Sequence, residues 1–315
     1  MMDDSRAMDP APHSTARLRR QGAAVADDPA EWLSGAACAP PVVERAVATG
    51  AGRVHLAETG TGTPVIFLHG LGSFSGEILS PFTIQPPAGR YIALDRPGYG
   101  FSDPLPAASS GPDAQAGWLE SLLNALEIPA AVIVAHSIGA ATALHFASSR
   151  PDRVAGLLLL APYCRPTRPA FAPLLRAAML PLIGRPVRRL IRFAAERFGE
   201  ARLAALFRPN PVPARMNGFP LRHVTRSRAL LAMGNELRGF NRAMMTLSLR
   251  LRRIRTRTVI LTGDSDAIAA DARHALWLAR RLPRAELVML PQTGHMPHHV
   301  APGAADRALR RILGR

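Results

Sequence analysis

Short apolar runs recur along this chain with the length and bounding turns of buried strands. Pro64-Val-Ile-Phe-Leu68, Tyr91-Ile-Ala-Leu-Asp95, Ala130-Ala-Val-Ile-Val134, Val154-Ala-Gly-Leu-Leu-Leu-Leu160, Thr258-Val-Ile-Leu-Thr262 and Glu286-Leu-Val-Met-Leu290 carry almost no internal polar residue. Continuous apolar runs of this length suit strands covered on both faces. Two further strands, Val42 to Thr49 and Arg53 to Glu58, flank the turn Gly50-Ala-Gly52. Between the strands lie helical patterns. Gly111 to Leu126 places Trp118, Leu122, Leu123 and Leu126 on one stripe, and an Ala-rich stretch from Ile138 stops before Pro151. Strand alternating with helix predicts an α/β fold, a mostly parallel central sheet with helices on both faces.

The alternation breaks twice. Residues 1–42 are rich in Ala, Pro, Asp and Arg without periodicity, which predicts a disordered amino-terminal extension. Within it Arg17-Leu18-Arg19-Arg20 precedes a short apolar stretch that Asp27 and Asp28 interrupt, so a signal peptide is not expected. Residues 163–257 read as helices broken by nine prolines. The core is therefore expected in residues 43–162 and 258–315.

Composition narrows the class. A hydrophobic content of 48% is ample for a core, and no run approaches the ~18 apolar residues of a membrane span. Cys38 and Cys164 are too few for a disulfide framework and lack metal-ligand spacing, which points to a reduced, cytoplasmic setting. No metal cluster or phosphate loop is legible, so neither a metal nor another cofactor is expected.

One junction carries candidate chemistry. Ala130 to Val134 runs into the helical pattern at Ile138 with only Ala135-His136-Ser137 between them. A strand that becomes a helix so abruptly needs a sharp turn. That turn strains the backbone at Ser137 and exposes its hydroxyl at a helix amino terminus, where partial positive charge favours an anion.

The segment A-H-S-I-G resembles the nucleophile elbow of the α/β-hydrolase superfamily, usually written G-x-S-x-G, with Ala135 replacing the first glycine. Three more segments follow the family's order: His69-Gly70-Leu71-Gly72 after an early strand, Gly263-Asp264-Ser265-Asp266 after a late one, and Gly294-His295 after the last. The resemblance implies a lidded serine esterase or lipase-like protein with Ser137 as nucleophile, His295 as base and Asp266 as its acid. It also implies an oxyanion hole from the backbone amides of Leu71 and Ile138. Asp264 is the rival acid, with turn chemistry as its expected role. His298 and His299 are competitors for the base, expected on the surface of the following helix. His69 and His136 are expected to shape the site, and the turn Asp95-Arg-Pro-Gly-Tyr-Gly-Phe-Ser102 to be structural. By position, residues 163–257 correspond to the family's helical cap.

The residue types imply an acyl-enzyme, and the resemblance to lidded esterases implies that it forms from a carboxylic ester with an apolar acyl part. Carbon–carbon bond hydrolysis and aminopeptidase action are the alternatives within the fold, and a ligand-binding protein with a vestigial site is the alternative outside it. Relatives that act on haloalkanes or epoxides use an aspartate where this chain has Ser137. Charge adds a last expectation. The formal net charge is +16, and residues 163–257 alone hold 21 arginines against three acids. From Arg185 to Phe198, the residues Val187, Leu190, Ile191, Ala194 and Phe198 share a stripe from which Arg188, Arg189, Arg192 and Glu196 point largely away. That stripe is expected to pack on the core, with the arginines solvated; the other expectation is an anion-facing surface that docks on an anionic membrane or steers acidic substrates. Nucleic acid is not expected, because few aromatics accompany the charge.

Overall fold

A computed structural model describes residues 32, 41–167, 169, 171–269 and 272–315. The expectation of a disordered extension over residues 1–42 therefore falls almost wholly outside the described residues. Strands β1 (Val43–Thr49), β2 (Gly52–Thr59), β3 (Pro64–Leu68), β4 (Arg90–Leu94), β5 (Ala131–His136), β6 (Val154–Leu160), β7 (Thr258–Gly263) and β8 (Ala285–Leu290) form one sheet. Their order is β1-β2-β4-β3-β5-β6-β7-β8. The pairs β1–β2 and β2–β4 are antiparallel, and every other pair is parallel.

Ten α-helices accompany the strands among the described residues: α1 (Ser75–Leu79), α2 (Pro112–Ala125), α3 (Gly139–Ser149), α4 (Ala172–Ala178), α5 (Gly184–Phe207), α6 (Leu221–Val224), α7 (Ser227–Ser248), α8 (Arg273–Ala279), α9 (Pro297–Val300) and α10 (Pro302–Leu313). Strand side chains alternate between two apolar layers, as the period of two demands. Ile66, Leu68, Ile133, Ala135, Leu157 and Leu159 join Trp118, Leu122 and Leu144 of α2 and α3. Val65, Phe67, Val132, Val134, Leu158 and Leu160 join Ile78 and Leu79 of α1 and Leu309 of α10 on the opposite face. With both faces covered, the central strands have no polar face to solvent, which is why their sequence runs are apolar throughout.

Helices α4 to α7 leave the sheet after β6 and return before β7. Helix α7 rejoins the main core through Phe240, Met244 and Leu247. The packing of α5 corrects the sequence expectation. Its buried residues are Gly184, Ala195, Gly199 and Phe207, whereas Leu190 and Phe198 of the expected core stripe are exposed. Arg188, expected to point away, is partly buried and donates to the Ala178 carbonyl. The reason is close approach. A Cβ on Gly184 would come within 2.6 Å of the Ala178 oxygen, and one on Gly199 within 2.4 Å of Leu221 Cδ1. Small residues set the contacting face as far as Gly199, and there Leu190, Phe193 and Phe198 are turned outward, whereas Leu203, Leu206 and Phe207 turn inward at the end of the helix.

Candidate active site

Chain order reverses at β3. The chain leaves it for β4 on one side and returns to β5 on the other. Crevices at the carboxyl ends of strands open at such a switch point. Here the ends of β3 and β5 deliver His69-Gly70-Leu71 and His136-Ser137-Ile138 side by side.

Ser137 adopts φ 52°, a left-handed conformation that a residue with a side chain adopts at a cost. Its amide donates to the Leu160 carbonyl at 2.9 Å and its carbonyl accepts from the Tyr163 amide at 2.9 Å, so the end of β6 and the segment just after it hold the turn on both sides. Gly139 is required two residues later: a Cβ there would lie 2.7 Å from the His69 oxygen and 2.8 Å from that of Leu68. Ala135 sits fully buried in the core layer and tolerates its methyl group.

From this elbow Ser137 Oγ lies 2.9 Å from His295 Nε2. His295 Nδ1 lies 2.8 Å and 3.0 Å from the two Asp266 oxygens. Asp266 Oδ1 also accepts from the amides of Ile268 and Ala269, at 3.0 Å and 2.9 Å. Burial opposes ionisation of Asp266, but the charge and hydrogen bond of His295 and those two amides hold its carboxyl below the usual range. Asp264, the rival, is exposed and accepts from the Ser265 hydroxyl at 2.8 Å.

His69 and His136 frame the backbone, as expected. His69 Nδ1–H donates to the Gly70 carbonyl at 2.7 Å, and its Nε2 accepts from the Arg96 amide at 3.0 Å. Burial and the Arg96 charge push its pKa down to about 3. His136 Nε2–H donates to the His295 carbonyl at 3.0 Å. Burial, with the charges of His298 and His295, holds its pKa well below the usual value. Gly70 must be glycine, because a Cβ would stand 2.9 Å from His136 Nδ1.

Two buried ionic clusters were not legible in the sequence. Arg96 is fully buried and pairs with Glu236 of α7. It also donates to Gln115 Oε1 at 3.0 Å and to the Gly70 carbonyl at 3.2 Å, and the Tyr99 hydroxyl donates to Glu236 at 2.7 Å. This ties the helical insertion to the Gly70-Leu71 segment. The available signal was the rarity of acids among the arginines of residues 163–257.

The second cluster overturns the surface placement of His298 and His299, both of which are buried. Their Nε2 atoms lie 3.1 Å and 2.8 Å from Glu77 Oε1, and the Ser73 hydroxyl donates to Glu77 Oε2 at 2.6 Å. Burial would raise the Glu77 pKa, yet these imidazole hydrogen bonds hold it well below the usual range. Burial lowers His299 to about 4, although the Glu77 hydrogen bond opposes that shift. The three side chains bring donor atoms within 4.8 Å of one another, a composition that metals use. Hydrogen bonding accounts for it better. Both Nδ1 atoms lack a partner among the described residues, whereas a ligating imidazole anchors its second nitrogen. The cluster braces the His295 segment against α1.

A cavity of about 350 Å³ opens over Ser137. Its wall includes Leu71, Ile138 and His295 from the sheet side and Leu203, Leu206, Met216, Phe219 and Leu237 from the insertion. Among the described residues, that lining contains no arginine.

A family model described as alpha/beta hydrolase fold matches residues 63–302. A 2-hydroxy-6-oxo-6-phenylhexa-2,4-dienoate hydrolase of Comamonas testosteroni is 35% identical over 116 residues, covering 35% of this chain and 40% of the relative. The dihydrolipoyllysine-residue acetyltransferase component of an acetoin cleaving system from Pseudomonas putida is 28% identical over 258 residues, covering 80% of this chain and 63% of the relative. The matches thus span less than two thirds of either relative. Among solved structures, a thermophilic esterase from Thermogutta terrifontis superposes with a TM-score of 0.65 at 25% identity, covering 86% of this chain and 98% of that one.

Proposed function

The chain belongs to the alpha/beta hydrolase fold family, and from that premise we propose that it hydrolyses carboxylic esters through an acyl-enzyme on Ser137. The observation that carries this reading is the unbroken hydrogen-bonded series Ser137–His295–Asp266 under an apolar cavity. In the proposed reaction His295 Nε2 takes the Ser137 proton as Oγ attacks the ester carbonyl, and later delivers a proton to the leaving alcohol. Asp266 holds the Nδ1–H tautomer that this requires. The amides of Leu71 and Ile138 stabilise the tetrahedral oxyanion, each worth about 3 kcal/mol by precedent. Water then attacks the acyl-enzyme with His295 as base. No step requires a cofactor.

The cavity supports an apolar acyl group, with the insertion acting as a cap whose Leu203, Leu206, Met216 and Phe219 enclose it. Carbon–carbon bond hydrolysis is the second reading, favoured by the dienoate hydrolase relative. A dienoate carries a carboxylate, however, and the described lining offers no arginine to receive one. Aminopeptidase action is favoured less. The carboxylate in the lining, Glu77, already accepts from His298, His299 and Ser73 rather than facing a substrate amine. Reversible contact of the insertion with an anionic membrane stands beside this reading and does not depend on it.

The test is turnover of p-nitrophenyl esters of increasing acyl length by the wild-type chain and Ser137→Ala. Expected is activity rising from acetyl to medium chains and a loss of about six orders of magnitude in the variant. Ester turnover that survives in a folded Ser137→Ala protein, or inactivity on esters alongside cleavage of a dienoate, defeats the reading.

A further inference from the structure

The outward face of α5 raises a question of occupancy. Packing through Gly184, Ala195 and Gly199 directs Leu190, Phe193 and Phe198 into solvent at 61%, 62% and 54% exposure, and Leu182, just before the helix, is 92% exposed. Leu180 and Ile183 are exposed beside them. Large apolar side chains exposed in this number along one short stretch signal a partner. On a helical wheel, Ile183, Leu190 and Phe193 occupy one outward arc that also carries the exposed Arg197; Arg185, Arg189 and Arg192 follow along its far margin, with the exposed Glu200 between Phe193 and Arg189. All three margin arginines are exposed. Glu196 is drawn into pairs with Arg192 and Arg222.

We propose that this face docks on an anionic phospholipid bilayer, with Leu182, Leu190 and Phe193 entering the interface and Arg185 and Arg189 meeting the headgroups. Charge complementarity selects the occupant. An apolar arc edged by arginines fits a surface that is apolar within and anionic at its boundary, and arginine stems lie along apolar surface while their heads reach phosphate. A second copy of this chain fits poorly, because a two-fold contact sets the arginine margins against one another. The same helix continues to Leu203 and Leu206 in the cavity wall. Ten residues at the helical rise separate Phe193 from Leu203, about 15 Å. Docking here thus brings the cavity to the source of an apolar acyl substrate, a consequence that rests on the ester hydrolase reading, whereas the docking itself does not.

The experiment is vesicle co-sedimentation of the full chain with phosphatidylcholine alone and with added phosphatidylglycerol, across a salt series. Binding is expected only with the anionic lipid and is expected to weaken with salt. The double variants Leu190→Gln/Phe193→Gln and Arg185→Gln/Arg189→Gln should each lower affinity by about tenfold or more, without changing turnover of a short soluble ester. Equal binding to both vesicles, no binding, or variants that bind like wild type overturns the proposal. So does a concentration-dependent dimer that Leu190→Gln/Phe193→Gln abolishes. Vesicle binding by a chain inert on every ester leaves docking standing and removes only the hydrolase reading.

Discussion

At the residue scale, the two aspartates of Gly263-Asp264-Ser265-Asp266 differ in what they touch. Asp266 is buried against His295 Nδ1, while Asp264 is exposed and bonded to its neighbour's hydroxyl. Removing the charge of a carboxylate that orients an imidazole leaves the wrong tautomer facing the serine, an effect of about 10⁴-fold in rate by precedent. Asp266→Asn should therefore cost about that factor in kcat, and Asp264→Asn less than about tenfold. Steady-state kinetics of the pair on one ester checks the ranking, and a reversal would assign the acid to Asp264.

At the element scale, the insertion is held to the sheet by a charge as well as by apolar contact. Arg96, in the turn after β4, and Glu236, in α7, are both buried and pair directly. Burial disfavours the charged Arg96, and the Glu236 carboxylate more than compensates. A buried pair adds little net stability, but removing one member strands the other, at about 3–5 kcal/mol. Glu236→Ala should lower stability by that amount in denaturant unfolding. It should also impair turnover, because Arg96 donates to the Gly70 carbonyl beside the proposed oxyanion amide of Leu71. Glu236→Gln keeps a hydrogen-bond acceptor and should cost less. Equal, small losses in both variants would mean that apolar contact alone fixes α7.

At the scale of the whole molecule, buried histidines set how stability depends on pH. Burial lowers His69 to about 3 with help from the Arg96 charge, His274 to about 4 with help from Arg165, and His299 to about 4, from an ordinary 6.5. Above that ordinary value both folded and unfolded rings are neutral. Below it the unfolded chain takes up protons that the folded chain refuses until about pH 4 for His274 and His299, and about pH 3 for His69. The unfolded state then binds more protons, so stability rises with pH and is lost on acidification through this window. Each ring contributes up to about 1.4 kcal/mol per pH unit. Urea midpoints should therefore fall from about pH 7 to about pH 5, opposed in part by His55, which burial would lower but the Asp95 carboxylate raises. A midpoint independent of pH there would mean that the rings titrate as if exposed.

The order of residues determined the α/β fold class, because buried parallel strands need continuous apolar runs and their helices need a 3.6-residue stripe. It also made the elbow legible at Ala135-His-Ser-Ile-Gly139, where strand meets helix with no room for a loop. These are local constraints, written in neighbouring residues. Tertiary structure decided what depends on contacts between distant segments. His298 and His299 lie buried on Glu77, more than two hundred residues away in sequence. Arg96 meets Glu236 across 140 residues. Amphipathic pattern alone could not orient α5, since its contacting face is chosen by how closely Gly184 and Gly199 let the backbone approach Ala178 and Leu221. Periodicity counts apolar side chains and is blind to the space that a missing one leaves.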